Sequence, residues 1–572
     1  MPLPYVKDAR RLTGRTILLE RPGAVLEVEP PGVLARRMIA RWQREARKLC
    51  DAIGWRREAI AARWFAPTAH LALTAPIDQL LAATLVAEWA WELTLTALTG
   101  HRTLVFDAIV ERLTRRLERN AQSALVRFHR EALRRRAQLL IGDRDLSIGE
   151  GSEAEVYAFD AVPSDPGAID WARKRHRLPT ALVTGTNGKT TTVRLLARMC
   201  AEAGFRTGFC CTDSVEVAGE VLDRDDYSGP GGTRKVLRHP HTEAAVLEVA
   251  RGGLLRRGLG VRDAEVAIVT NVADDHLHDM GVHTLKQMAE VKFLIATGLA
   301  ARAPLVTNAE NAWCRAEVRR LARPTIWFAL EPPPASLLKR TSQLCGLATL
   351  RDGAAVWEAP GRQRVEVCAA DAMPFAARGA APHNLANALA AIGAAMALGL
   401  PVAAQRSALQ QFGTSNADNP GRSNRYLIGG ATVIADFGHN AEALRAVFTL
   451  ARGLPRERLL ISLGQAGDRD DAAIRALGAL AAAEHPDCVI LKDMPKYRRG
   501  REAGAIPALM REGLADAGVA DEAVVEVEGD REALAHTLAW LGPGDLALLF
   551  VHSDTEAVLA DLAERAKAAP TA

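Results

Sequence analysis

The chain has 572 residues, enough for about three or four domains at the usual domain size. Its 72 Lys and Arg nearly cancel its 68 Asp and Glu, leaving a net charge of +4; this argues against a dedicated nucleic-acid binder and leaves room only for a local basic face. An apolar content of 48% permits large buried cores, and the eight cysteines include no C-x-x-C pair, so reduced thiols and a cytoplasmic location are expected.

The N-terminus, Met1 to Lys7, lacks the apolar core of a secretion signal. The first stretch, residues 1–165, reads as a separate domain, mostly helical or α+β. It carries Trp42, Trp55, Trp64, Trp89 and Trp91, and helical patterns run over Gly32–Ile53 and Leu104–Gln138. Arg134-Arg-Arg136 reads as solvated helix surface. The apolar window Leu71–Leu98 contains Asp78, Glu88 and Glu92, too much charge for a membrane span. Asp160–Asp170, with Pro163, Pro166 and Gly167, reads as a linker.

Residues 171–415 alternate strand and helix patterns. Ala181-Leu-Val183 leads into Thr184-Gly-Thr-Asn-Gly-Lys-Thr-Thr-Thr192, and a helical run from Val193 to Met199 follows. Strand, glycine turn and helix make a phosphate cradle. Gly185 and Gly188 let the backbone approach an anion, and Thr186, Asn187 and Thr191 belong to the same loop and helix start. Lys189 supplies a point charge, and the Thr190 hydroxyl suits Mg²⁺. The general Walker pattern would need glycine at Val183, so this is a shorter loop. Glu248 ends the run Val246-Leu-Glu248; a carboxylate at a strand end beside a phosphate loop suits Mg²⁺, although alone it reads as a surface or capping residue. Asn271-Val-Ala-Asp-Asp-His276 follows the next strand. His276 by itself reads as structural; beside Glu248 and Thr190 it is a candidate second-metal ligand. Lys292 stands in a helical run and reads equally as a snorkelling lysine. Residues 325–380 look like an insertion or a small antiparallel patch.

His383-Asn-Leu-Ala-Asn-Ala388 opens an alanine-rich helix. Asn384 and Asn387 share a face and suit a nucleobase edge, with helix capping the other reading of Asn384. Arg422, in a Pro-Gly-Arg turn, is a candidate for a transferring phosphate or else a solvated loop residue. Residues 416–572 then show apolar strand patterns at 431–436, 458–463, 488–492, 523–528 and 546–551 with helices between, a second doubly wound α/β domain. Asp436 ends the first of these strands and suits ribose hydroxyls. Gly464–Asp470 and the basic Arg498-Arg-Gly-Arg501 follow later strands.

Taken together, the loop, Glu248, Asn271 with His276, His383-Asn384 with Asn387, Pro420-Gly-Arg422 and Asp436 with His439-Asn440 resemble the Mur ligase superfamily, from about residue 171 onward. Within it, Asp226-Tyr-Ser-Gly-Pro230, Leu247 to Arg256, Asp274-Asp-His-Leu277, Gly467-Asp-Arg469 and Arg499-Gly-Arg501 are similar to the C-terminal ligase module of the cyanophycin synthetases. Ala75 to Gln79 and Leu146 to Gly149 place the N-terminal region with the same group. The resemblance implies a central P-loop-type ATPase domain and a C-terminal Rossmann-like domain. It implies ATP and Mg²⁺ as cofactors, and a carboxylate joined to an amino-acid or peptide amine through an acyl phosphate. Lys189, Glu248, His276 and Arg422 would be catalytic, and Lys292 the candidate for a carbamylated metal ligand. Asn384 and Asn387 would line the adenine pocket. In that family the module adds arginine to an aspartyl side chain; an ATP-grasp module stands ahead of it, where this chain has about 165 residues without a second ATP site. Phe437-Gly438 replaces the more usual Tyr-Ala. The other readings are a poly-glutamate or cell-envelope Mur-type ligase, and a nucleotide-binding regulatory partner of a separate cyanophycin-type synthetase. A homo-oligomer is compatible with all of them; nucleic acid and membrane are not expected partners.

Overall fold

A computed structural model describes residues 5–99, 104–275, 277 and 280–568. The N-terminal region is α+β. Strands Tyr5–Leu12, Gly23–Glu29, Thr68–Thr74 and Ile60–Phe65 form an antiparallel sheet in that order. Helices Ala35–Ala52 and Leu80–Thr99 pack together on it, and the fully buried Trp42 donates its indole N–H to Ala87 O at 3.0 Å. The helical pattern over Leu104–Gln138 is two helices, Phe106–Asn120 and Ser123–Arg135. Ala121 is extended between them, and the Gln122 N–H donates to Asp78 at 3.0 Å; this long-range bond replaces the intrahelical one that periodicity alone would continue. The apolar window at 71–98 divides into the end of one strand and most of a helix. No helix of the described residues is long and apolar enough to cross a membrane.

A small three-stranded sheet, residues 139–158, joins this region to the next. There the His176 ring lies between Glu150 (2.6 Å) and Glu265 (3.1 Å). Burial opposes a charge on the ring, but the two carboxylates outweigh it and hold its pKa up at about 10. A raised folded-state value means the native protein binds the proton more tightly. The stability His176 contributes is therefore complete below its ordinary pKa of 6.5 and lost as pH rises through about 10. Thermal melts between these limits should fall with pH in the parent protein and less steeply in His176→Gln; equal slopes would count against the assignment.

Among the described residues the central sheet has eleven strands. Seven are parallel, in the order Thr207–Cys210, Ala244–Glu248, Thr180–Thr184, Val266–Val269, Leu305–Asn308, Thr325–Ala329 and Leu344–Arg351. Thr180–Thr184 lies in their midst, buried throughout, so the loop it feeds emerges at the middle of the carboxyl edge. Residues 325–380 are not a separate patch. Thr325–Ala329 is a fully buried parallel strand of the main sheet, and the antiparallel strands Ala354–Glu358 and Val365–Ala369 extend the same sheet. Its unbroken apolar run suits a strand covered on both faces rather than one half exposed. The alanine-rich helix Pro382–Ala397 packs against the loop helix Lys189–Glu202; a Cβ at its Gly393 would meet Ile326 and Val306 at 3.0 and 3.1 Å.

The C-terminal sheet has the order Asn424–Ile428, Ala431–Asp436, Leu546–Phe550, Leu459–Gly464, Cys488–Asp493 and Val524–Glu528. The last five are parallel and coincide with the five expected strands to within a residue. The antiparallel edge strand Asn424–Ile428 is additional; its alternation of buried and exposed residues is only partly apolar, so hydropathy does not reveal it.

Candidate active site

The cradle follows from strand, turn and helix. Gly185 has φ +152° and Gly188 φ +83°, and neither has room for a side chain: a Cβ would lie 1.8 Å from Thr270 Oγ1 and 2.1 Å from Asn387 Oδ1 respectively. The loop is held from the neighbouring strand. Asn271 Oδ1 accepts from the N–H of Thr186 (3.1 Å) and Asn187 (2.9 Å), and the Thr270 hydroxyl donates to Asn187 O at 2.6 Å. Helix Lys189–Glu202 begins at the loop, so its first N–H groups, which have no intrahelical acceptor, face the same concavity.

Lys189 Nζ donates to Thr186 O at 2.8 Å, folded onto its own loop. Thr190 Oγ1 donates to Glu248 Oε2 at 2.8 Å, and Thr212 Oγ1 to Glu248 Oε1 at 2.9 Å. Glu248 is fully buried; burial raises its pKa, and the charge of Lys189 pulls the other way. Lys292 is 4% exposed and donates to Gly185 O at 2.8 Å. Burial first, and then the charge of Lys189, holds its pKa well below the ordinary lysine value. This is not a snorkelling lysine: its ammonium end is inside. His276 lies outside the described residues.

Asn384 Nδ2 donates to Phe375 O (2.7 Å) and Asn387 Nδ2 to Asn384 Oδ1 (3.2 Å). Asn384 is inside the helix, whose cap position is Ala381, so capping does not account for it. Asn387 reaches the phosphate loop itself at Gly188. Arg422 Nη2 lies 3.4 Å from Asp213 Oδ1, and its guanidinium stands 4.5 Å over the Phe437 ring. Asp436 ties two turns, accepting from Ser423 N–H (2.7 Å) and hydroxyl (3.0 Å) before the edge strand Asn424–Ile428 and from Gly438 N–H (2.7 Å) after its own strand. Of the basic run 498–501, Arg498 pairs with Asp493 and Arg501 with Asp471, while Arg499 lines the cleft.

The two α/β domains enclose a cleft of about 1650 Å³. Residues 185–191, Lys292, Asn384, Asn387, Arg422 and Asp436 all line it, and Glu248 lies buried behind Thr190. Cross-domain bonds close one end. Asn187 Nδ2 donates to Glu442 at 2.8 Å, Asn440 Nδ2 to Asn187 Oδ1 at 3.0 Å, and Arg469 pairs with Asp275 at 3.0 Å. Thr212, Asp213 and Glu442 escaped the sequence reading. The available signal was position: Thr212-Asp213 directly follows Cys211 at a strand's carboxyl end.

A glycine loop at the carboxyl edge of one sheet, faced by the carboxyl edge of a second across a cleft, has the geometry in which two-domain α/β proteins bind nucleotides. The model for the Mur ligase middle domain matches residues 183–395, and that for the Mur ligase, glutamate ligase domain, matches residues 421–550. The chain belongs to the Mur ligase family. It is 33% identical over 384 residues to a cyanophycin synthetase of Synechocystis sp., covering 67% of this chain and 43% of that protein, so it spans less than half of that relative. It is 30% identical over 380 residues to the UDP-N-acetylmuramoyl-L-alanyl-D-glutamate--2,6-diaminopimelate ligase of Corynebacterium efficiens, covering 64% and 67% of the two chains. Among solved structures it is similar to MurF from Acinetobacter baumannii (TM-score 0.47, 19% identity, 68% of this chain and 77% of that one). It is also similar to E. coli FolC in complex with DHPP and ADP (TM-score 0.46, 20% identity, 68% and 90%).

Proposed function

We propose that the protein is an ATP-dependent amide ligase that joins a carboxylate to an amino-acid amine, with residues 171–415 binding ATP and residues 416–572 closing over it. The observation that carries this reading is the Thr190–Glu248 pair at the foot of the cradle, beneath a cleft lined from both domains. A fully buried carboxylate held by hydroxyls fits a divalent cation, which would offset the cost of its burial. Thr190 and Glu248 would hold Mg²⁺, with His276 assigned to a second ion. A cation held there would supply charge neutralisation for the transferring phosphoryl group.

The chain's own residues do the rest. Lys189 and the loop amides hold the ATP phosphates, and Arg422 meets the γ-phosphate. Asn384 and Asn387 are assigned to nucleotide binding, and Asp436 shapes the turn beside the ribose. The substrate carboxylate oxygen attacks the γ-phosphorus as the bond to the β,γ-bridging oxygen breaks, giving an acyl phosphate and ADP. The amine nitrogen then attacks the acyl carbon, the carbon–oxygen bond to phosphate breaks, and nitrogen loses a proton. Domain closure, through bonds such as Asn187–Asn440, keeps water from the acyl phosphate. Burial disfavours the charged form of Lys292 and so favours the free amine, the form that takes up CO₂; on that ground Lys292 is assigned as the carbamylated ligand.

The cyanophycin synthetase relatives point to an aspartyl peptide and arginine as the first pair to try, with a separate synthetase supplying the acceptor. Purified protein with Mg-ATP, screened for phosphate release against carboxylate and amine pairs, is expected to turn over with at least one aspartyl, glutamyl or muropeptide acceptor. ATP binding without turnover on any pair would favour the regulatory-partner reading instead.

A further inference from the structure

The turn after strand Thr207–Cys210 connects the two halves of the cleft. Three consecutive side chains in it each hold a different charged group. Thr212 donates to Glu248 from its hydroxyl, and its backbone N–H lies 3.4 Å from the other carboxylate oxygen. Asp213 Oδ1 faces Arg422 at 3.4 Å, and Ser214 Oγ accepts from Arg194 Nη2 at 3.0 Å. Arg422 is thereby linked through Asp213, Thr212 and Glu248 to Thr190 at the head of the cradle.

Arg422 is held on two sides, by the Asp213 carboxylate and by the face of Phe437. A free arginine would lose rotamer entropy on meeting a phosphate; a clamped one has lost much of it beforehand. Asp213 Oδ2 is buried and makes no hydrogen bond among the described residues. A carboxylate with one oxygen on a guanidinium and the other unsatisfied needs only a small movement to become a two-point fork. The remaining guanidinium donors stay available to the cleft that Arg422 lines.

We propose that Asp213 is a positioning residue that seats Arg422 against the phosphate cradle, so that the arginine from the far side of the cleft is aimed by the same turn that holds Glu248. The inference rests on the assignment of Arg422 to the γ-phosphate, and a γ-phosphate-specific measurement separates the two. Isothermal titration of Mg-AMPPNP and of Mg-ADP into the full chain isolates that phosphate without knowledge of the carboxylate or the amine.

Arg422→Ala is expected to weaken Mg-AMPPNP and leave Mg-ADP unchanged. Asp213→Asn is expected to weaken Mg-AMPPNP about tenfold while Mg-ADP stays within about twofold, the loss of one hydrogen bond to a charged group. In the double variant the loss should not exceed that of Arg422→Ala. Phe437→Leu, which removes the other side of the clamp, should show the same pattern, and Mg-ADP binding reports that each variant is folded. Tighter Mg-AMPPNP binding in Asp213→Asn would make Asp213 a competitor for the arginine and overturn the proposal. So would equal weakening of both nucleotides, or losses that add in the double variant. Unchanged Mg-AMPPNP affinity in Arg422→Ala would overturn the assignment of Arg422, and the seat with it.

Discussion

Replacement of Lys189 by alanine is expected to abolish turnover, with a fall of about 10³-fold or more, as for loss of a principal charge-stabilising donor. Lys189 is the cation within the loop, and its ammonium already touches the loop carbonyl of Thr186 at 2.8 Å. The alanine variant loses both the charge on the phosphates and this internal tie, so Mg-ATP affinity should drop with turnover. Lys189 also offsets the buried negative charge of Glu248, whose carboxyl should then become still harder to ionise. Lys189 is only half-buried, so the melting temperature should move little. Phosphate release, calorimetric ATP binding and a thermal melt together check this. Full activity in the variant would remove the cradle assignment altogether.

Glu248→Gln separates two roles that a buried carboxylate can play. The amide has nearly the same shape, so the contacts with Thr190 and Thr212 can be kept in part. The charge that would bind a divalent cation is gone. Turnover is expected to fall by about 10²- to 10³-fold, as for removal of one preorganised electrostatic group. Stability without metal should hold or rise, because an ionised carboxylate at 0% exposure costs more than a neutral amide. The sign in pH follows. Burial raises the folded-state pKa of Glu248 above its ordinary 4.5, so the native state binds a proton more tightly than the unfolded chain. Metal-free parent protein should therefore lose stability as pH rises from about 4.5 through that raised value, and the glutamine variant should lack this component. Added Mg²⁺ with nucleotide should stabilise the parent and not the variant. A variant that melts and turns over like the parent would exclude Glu248 from the metal site.

The cradle was legible in the sequence because it is local. Nine consecutive residues, running from the last residue of an apolar strand into the first turn of a helix, specify the glycine turn, the lysine and the hydroxyl, and the structure places the turn at Gly185 and Gly188 with Lys189 and Thr190 opening the helix. The five parallel strands of the last domain were legible for a similar reason: each is a short, mostly apolar run bounded by polar turns. The N-terminal sheet was not. Tyr5–Leu12 reads Tyr-Val-Lys-Asp-Ala-Arg-Arg-Leu, a charged edge strand whose pairing with Gly23–Glu29 makes it a strand, while the helices beside it carry the stronger periodicity. Lys292 shows the same limit in a single residue. Its helix reads as amphipathic, and only packing reveals that its amine ends inside, on the carbonyl of Gly185.

By itself, then, the sequence determined the strand–glycine loop–helix unit, the Mur ligase family and the doubly wound pattern of the last domain, because each is written in contiguous residues or in a short ordered set of motifs. Which polar side chains meet was decided by the tertiary structure alone. Asp213 and Arg422 are 209 residues apart, Asp275 and Arg469 194, and Asn187 and Asn440 253. No local propensity relates such positions. They are brought together by the order of strands in two sheets and by the facing of their carboxyl edges across one cleft.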